Sequence, residues 1–313
     1  MPPAGWLALA VVLAVAGPSW ASSAKPLTVV SFNVFHGGAS SGLWGDDHRL
    51  ERRLAMAVEG LRALDPDVVA LQEASSGWGR GNVAARLAAG LGLRHVWAPA
   101  TSRVFVPPFG QLLTWMMNFS EGPAILSRYP VAASEVHELP RCSARRFDPR
   151  VALVVDLDTP WGRLPVFSTH TSRDDCQVRR VGELALARRG ALPALVMGDF
   201  NSGEASDAIA TLMNGAGFVD VFRVANPGEP GATVWQRVDA PAPTVFRRVD
   251  YVFIVPGLEV TARVRASRVV LNTPVREPNG ITLWPSDHYG VLAELELIVG
   301  PDMAPSPRAL GPR

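Results

Sequence analysis

Two hydrophobic periods alternate along this chain, and the switches between them lay out its elements. Leu27–Asn33 is an apolar run rich in β-branched residues, which predicts a strand. Beyond a Gly/Ser linker (37–42), Leu50, Leu54, Val58, Leu61 and Leu64 recur at spacings of three and four. That is an amphipathic helix, with Asp46 or Asp47 as its cap and Asp65-Pro66 as its stop. A strand over 68–72 follows, and 82–91 returns to the helical period through Val83, Leu87 and Leu91. Strands then dominate: 95–98, 111–119, 124–127 and a hairpin over 151–170 that turns at Thr159-Pro160-Trp161-Gly162. A third helix is predicted over 177–189, and strands over 195–197, 249–255, 258–268 and 289–298. Helices interspersed with hairpins predict an α/β (α+β) fold, two packed sheets with helices outside.

The chain ends change the picture of where this fold sits. Residues 7–16 are ten apolar residues in a row, followed by Gly17-Pro18 and small residues, although no Lys or Arg precedes them. A bilayer span needs roughly 20 apolar residues, so 1–24 read as a secretory signal and the protein as secreted or periplasmic. Residues 25–299 then form a single domain, and 300–313, rich in proline and charge, a disordered tail. The net charge of +1 argues against a chain built as a polycation for nucleic acid. The two cysteines, Cys142 and Cys176, flank the open end of the predicted hairpin. In an exported chain they are placed to form a disulfide; closing a loop of about 35 residues adds roughly 3–4 kcal/mol on the chain-entropy model.

The chemistry concentrates at strand ends. Leu195-Val196-Met197-Gly198-Asp199-Phe200-Asn201 is a short apolar strand that breaks at glycine and leaves an acid and an amide two residues apart, on one face of extended chain. Other strand ends carry Asn33, Gln72-Glu73 and Ser168-Thr169-His170, and later strands begin near Asp250-Tyr251 and Ser286-Asp287-His288. Taken singly, Asn33 suits a turn, Glu73 a solvated loop, Asp250 a partner for Arg247 or Arg248, and Asp287 a turn cap. Coincidence of all of them in this order is a far weaker explanation than one shared site.

Asn33, Leu71-Gln72-Glu73, His170, Gly198-Asp199-Phe200-Asn201, Asp250-Tyr251 and Ser286-Asp287-His288 together resemble the ordered motif set of the endonuclease/exonuclease/phosphatase superfamily, over nearly the whole chain from Leu27. The resemblance implies a four-layer sandwich, two packed mixed β-sheets flanked by helices, and a divalent-metal-dependent phosphoesterase. It implies that Asn33, Glu73 and Asp287 hold Mg2+ or Mn2+, and that His170, Asp199, Asn201, Asp250 and His288 are catalytic. Asp199 would orient or deprotonate the attacking water, Asn201 and His170 would touch the phosphate, and Asp250 would fix the tautomer of His288. Whether Asp199 or His288 takes the proton stays open. Hard cations want carboxylate, amide and water, and the six histidines show no tight zinc spacing.

Substrate class is less legible. Eight arginines against five acids lie between Arg141 and Arg180; among them Arg145 and Arg173 are candidates for binding substrate phosphate. The stretch 104–119 is unusually apolar and aromatic, suited to a buried strand plus turn or to a transient membrane-surface contact. Trp161, Trp235 and Trp284 are candidates for stacking. An exported, monomeric phosphodiesterase would meet DNA, phospholipid or nucleotide. The alternative from another class is a non-catalytic secreted binding module on the same scaffold.

Overall fold

The structure is a computed structural model, and it describes residues 25–36, 48–103, 108–142 and 149–299. The proposed signal, the linker at 37–42, Arg145 and the tail lie outside these residues; the helix that starts at Leu50 has Arg49 at its N-cap, with no side-chain cap bond, in place of the expected Asp46 or Asp47. One sheet is built from β1 (Leu27–Asn33), β2 (Val68–Gly77), β3 (Gly81–Asn82), β4 (Arg94–Trp97), β5 (Ser120–Ser127), β12 (Val260–Val270) and β15 (Gly290–Val299), in the order β12-β15-β1-β2-β5-β4 with β3 on β2. The other comprises β6 (Val131–Glu138), β7 (Val151–Thr159), β8 (Gly162–His170), β9 (Ala194–Asp199), β10 (Val219–Asp220) and β11 (Asp250–Val255), in the order β10-β11-β9-β8-β7-β6. β13 (Val275–Arg276) and β14 (Thr282–Leu283) form a small separate pair. Both large sheets are mixed: β1–β2 and β8–β9 run parallel, and the remaining pairs are antiparallel.

The strands alternate sides with period two. In β1, Val29 faces the other sheet, within a core that includes Val68, Ile125, Val155, Leu195 and Ile254. Its neighbour Val30 faces helices α1 (Leu50–Leu64) and α2 (Val83–Leu91) through Leu54, Leu61 and Leu87. On the far side of the second sheet, Phe167, Val196 and Phe253 pack on α4 (Asp175–Ala187) and α5 (Asp207–Ala210) through Val178, Val181 and Ile209. Four layers result. Because both faces of the central strands are covered, they read as unbroken apolar runs. Asn82 caps α2, its side chain accepting from Ala85 N.

One predicted element is overturned. Residues 111–119, expected to be a strand, lie mostly in helix α3 (Phe109–Met116). A short, mostly apolar run fits either period, and with Thr114 its only β-branched residue it has little strand propensity. The helix is not core: Phe109, Leu112, Trp115 and Met116 are each more than half exposed, beside the equally exposed Trp78, whose ring meets Trp115 edge-on at 5.2 Å. Strand β6 was absent from the sequence reading. Its alternation is carried by Ala, Ser, Glu and His at a sheet edge, with most residues partly or fully exposed. Among the described residues, no helix is long and apolar enough to cross a membrane.

Candidate active site

Strand register builds the site. Parallel pairing sets His170 opposite Asp199, and antiparallel pairing sets Asp250 opposite Asp199. Opposite residues of neighbouring strands share a face, so three ionisable side chains stand in one row. Gly198 allows the strands to close just before it: a Cβ there would lie 2.1 Å from the Thr169 carbonyl oxygen. The chain leaves β9 through Asn201 at φ 50°, a left-handed conformation that Asn tolerates. This brings Asn201 N to donate to Asp199 Oδ1 at 2.8 Å. In the first sheet Asn33 pairs with Gln72, and Glu73 follows at φ 56° inside a bulge between Leu71 and Ala74. The bulge re-aims the Glu73 side chain out of the pleat. Asn33 Nδ2 then joins the two sheets, lying 3.1 Å from Glu73 Oε1 and 3.1 Å from Asp199 Oδ2.

Further bonds hold the ends together. Ser168 Oγ donates to the Leu71 carbonyl across the sheet interface, and Ser286 Oγ donates to the Asn33 carbonyl at 2.6 Å. Arg53 of α1, buried, donates to the carbonyls of Val34, Phe35, His48 and Pro285. It thereby ties the end of β1 to the segment carrying Asp287 and His288. The Cys142–Cys176 disulfide, with Cα atoms 6.5 Å apart, joins the segment after β6 to the start of α4.

Asp199 Oδ2 is the electrostatic hub. His170 Nε2 lies 3.3 Å from it and His288 Nε2 3.7 Å, while His288 Nδ1 is 2.9 Å from Asp250 Oδ2. Burial dominates at Asp199 and pushes its pKa up to about 7, against the opposing pull of His288. For His288 burial works the other way, yet Asp250 and Asp199 outweigh it and raise the imidazole well above its usual value. His170 is held well below, first by burial and then by Arg150, whose Nη1 lies 2.6 Å from Nδ1. Both ring nitrogens of His170 face donors, the Arg150 guanidinium at Nδ1 and the Asn201 amide nitrogen 2.9 Å from Nε2. Glu73 is different. Burial raises it, but His36, His170 and His288 together overcome that and hold it down to about 2.

Glu73, Arg150, His170, Ser172, Arg173, Asp199, Asn201, Trp235, Asp287 and His288 line one cavity of about 350 Å³. Of the residues predicted for the site, Asn33 and Asp250 stand directly behind this wall. Arg145 lies outside the described residues. Arg150 and His36 were not singled out from sequence. A second cavity of about 890 Å³ adjoins the first, sharing Trp235 and Asp287. Trp235 is about half exposed between them, whereas Trp284 is buried with its Nε1 donating to the Ala240 carbonyl, and Trp161 packs against Tyr129. The oxygen set suits a hard cation. Burial and the nearby Glu73 push Asp287 up to about 6 against His288, the crowding of carboxylates that a divalent ion relieves.

The family model described as Endonuclease/Exonuclease/phosphatase family matches residues 30–288, spanning this whole constellation. The chain belongs to that family. Its members are hydrolytic phosphoesterases, typically dependent on a divalent metal. No curated protein is close enough in sequence to match. Among solved structures, the family is represented by a Beutenbergia cavernae protein, 24% identical with a TM-score of 0.63, covering 88% of this chain and 72% of its own. A mannosyl-6-phosphatase of Bacteroides thetaiotaomicron is 18% identical with a TM-score of 0.65, covering 86% and 99%. The human Nocturnin catalytic domain, solved with a sulfate anion, is 20% identical with a TM-score of 0.62, covering 88% and 94%. At these identities the likeness to the three concerns the fold.

Proposed function

We propose that the protein is an exported, Mg2+- or Mn2+-dependent phosphodiesterase that drives water in line onto phosphorus. The observation that carries this is the Asp199 carboxylate, ringed by His170, His288 and Asn33 nitrogens within 3.7 Å, in a cavity shared with Glu73 and Asp287. Glu73 and Asp287 hold the cation, and the amide of Asn33, already spanning two carboxylates, orients Glu73. When bound, the cation offsets the charge that develops on phosphoryl oxygen.

Asp199 takes the proton of the attacking water, since a base is most effective with a pKa near the working pH. His288, kept cationic by Asp250, faces the phosphorus from the other side of Asp199 and donates to a phosphoryl or leaving-group oxygen. His170 and Asn201, with Arg150 and Arg173 at the wall, grip non-bridging oxygens. A diester rather than a monoester is favoured by the second cavity, which leaves room beyond Trp235 for another ester group. Export is supported by the apolar segment at 7–16 and by the disulfide.

Hydrolysis of bis-p-nitrophenyl phosphate should vanish in EDTA and return with Mg2+ or Mn2+. Activity that persists in chelator would overturn the reading, and silence with metal present across diesters would favour a binding module. The exposed face of α3 with Trp78 favours a lipid-borne diester over DNA, since patches of this kind mark interaction surfaces. Phospholipid or sphingomyelin vesicles should therefore be cleaved faster than plasmid DNA, and Leu112→Ser with Trp115→Ser should slow only the vesicle reaction. Equal loss on a soluble diester would remove α3 from substrate contact.

A further inference from the structure

Beside the catalytic carboxylates lies a group that the proposed reaction does not use. At the end of β1 the chain turns back through Phe35 at φ 52°, and His36 folds over Glu73. His36 Nε2 lies 3.1 Å from Glu73 Oε2 and 3.5 Å from Glu121 Oε2. Glu121 comes from β5, fixed opposite Ser75 of β2 and anchored through its backbone: its N donates to Thr101 Oγ1, and its carbonyl accepts from Ala100 N. The Phe119 ring closes one side of the imidazole at 4.9 Å. All three side chains are mostly buried yet retain an opening to solvent.

One imidazole nitrogen facing two carboxylate oxygens has a single proton to offer them. Imidazole nitrogen and carboxylate oxygen are together the donor types that a first-row metal takes. The three ligand atoms lie within 4.8 Å of one another. Ligands of a tetrahedral ion at bond lengths of 2.0–2.2 Å are about 3.4 Å apart, so little movement is needed to place a cation among them.

We infer that His36, Glu73 and Glu121 form a second cation site, one that takes a borderline first-row metal such as Zn2+. Imidazole nitrogen suits zinc and its neighbours, whereas carboxylate and water alone suit Mg2+. Glu73 is shared with the hard-cation site through its other oxygen, so the inference borrows one residue from the proposed reaction but stands on two that take no part in it. Metal at His36 would compete for the Glu73 carboxylate, and the balance of the two ions would set how much of the protein is catalytically competent.

The test uses metal-stripped full chain titrated with Co2+, read by its visible d–d absorption and by imidazole scattering in the X-ray absorption spectrum. One equivalent should bind in low coordination with a nitrogen ligand. His36→Ala and Glu121→Gln should each weaken it by at least about tenfold, while Mg2+-supported hydrolysis by Glu121→Gln, measured without Co2+, confirms an intact fold. Asp287→Asn should impair hydrolysis and leave the Co2+ signature in place. Octahedral, all-oxygen Co2+, or a signature unchanged in both His36→Ala and Glu121→Gln, would overturn the second site without touching the first. Loss of the signature in Asp287→Asn would also overturn it, by showing a single site.

Discussion

Glu73 and Asp199 are carboxylates at the open ends of neighbouring sheets, joined through one amide, yet their surroundings drive them in opposite directions. Glu73 leaves its strand in a bulge, partly open to solvent and facing three histidines, and is held down to about 2. Asp199 ends a central strand under nearly complete cover, beside Asp250, and is pushed up to about 7. Pairs of acids whose environments separate their affinities for a proton mark a division of roles. The ever-ionised acid suits a cation, and the one that can still accept a proton suits water.

The sharpest way to break this contrast is at Asp199. Asp199→Ala should lower kcat/KM by about 10³-fold or more, since proton transfer typically contributes 10²–10⁴-fold; circular dichroism should stay unchanged. A rate within a few-fold of the parent would remove Asp199 from the reaction. Glu73→Gln acts on the other member. The Mg2+ concentration for half-maximal rate should rise roughly 10–100-fold, with much of the turnover recovered at saturating metal, and an unaltered titration would contradict its role.

The acid–base contrast also predicts a profile. Asp199 must be ionised and His288 protonated, so kcat/KM should fall as pH drops through about 7, where Asp199 gains a proton. It should fall again well above the usual histidine range, where His288 loses one. Because Asp250 helps hold that proton and also raises Asp199, Asp250→Asn should move both the alkaline and the acid limb to lower pH; an alkaline limb left in place would reverse the assignment. The smallest effect on rate is expected at the rim. Cys142→Ser with Cys176→Ser should cost roughly 3–4 kcal/mol of stability, read from urea unfolding, and change kcat/KM by only a few-fold.

How far the sequence revealed this site depends on whether a residue's role is local. β1 is bounded in the structure as its apolar run suggested, because burial on both faces leaves a continuous signal. Asp199 and Asn201 were legible because a glycine break and a period of two place both on one face. Glu73 was visible as an acid, but the sequence reading ended its strand at Gln72, and β2 continues through the bulge to Gly77. A bulge has no strong signature of its own when the residue in the left-handed conformation is not Gly or Asn. His36 and Glu121 are 85 positions apart and meet only because β2 lies between their strands. Arg150 looked like one more surface arginine until the hairpin brought it to His170. Arg53 sits on the apolar face of an amphipathic helix, where a charge reads as an interruption of the pattern.

The parallel register of β8 against β9 has a consequence for how this protein can change length. Losing one residue from within either strand would slide its partner by a little over 3 Å and turn every side chain beyond the gap to the opposite face, separating His170 from Asp199. The turn at Thr159–Gly162, at the far end of the same hairpin, is free of that constraint. Insertions and trimmed loops in descendants of this chain should therefore gather at that remote rim, while the strand bodies keep their residue count.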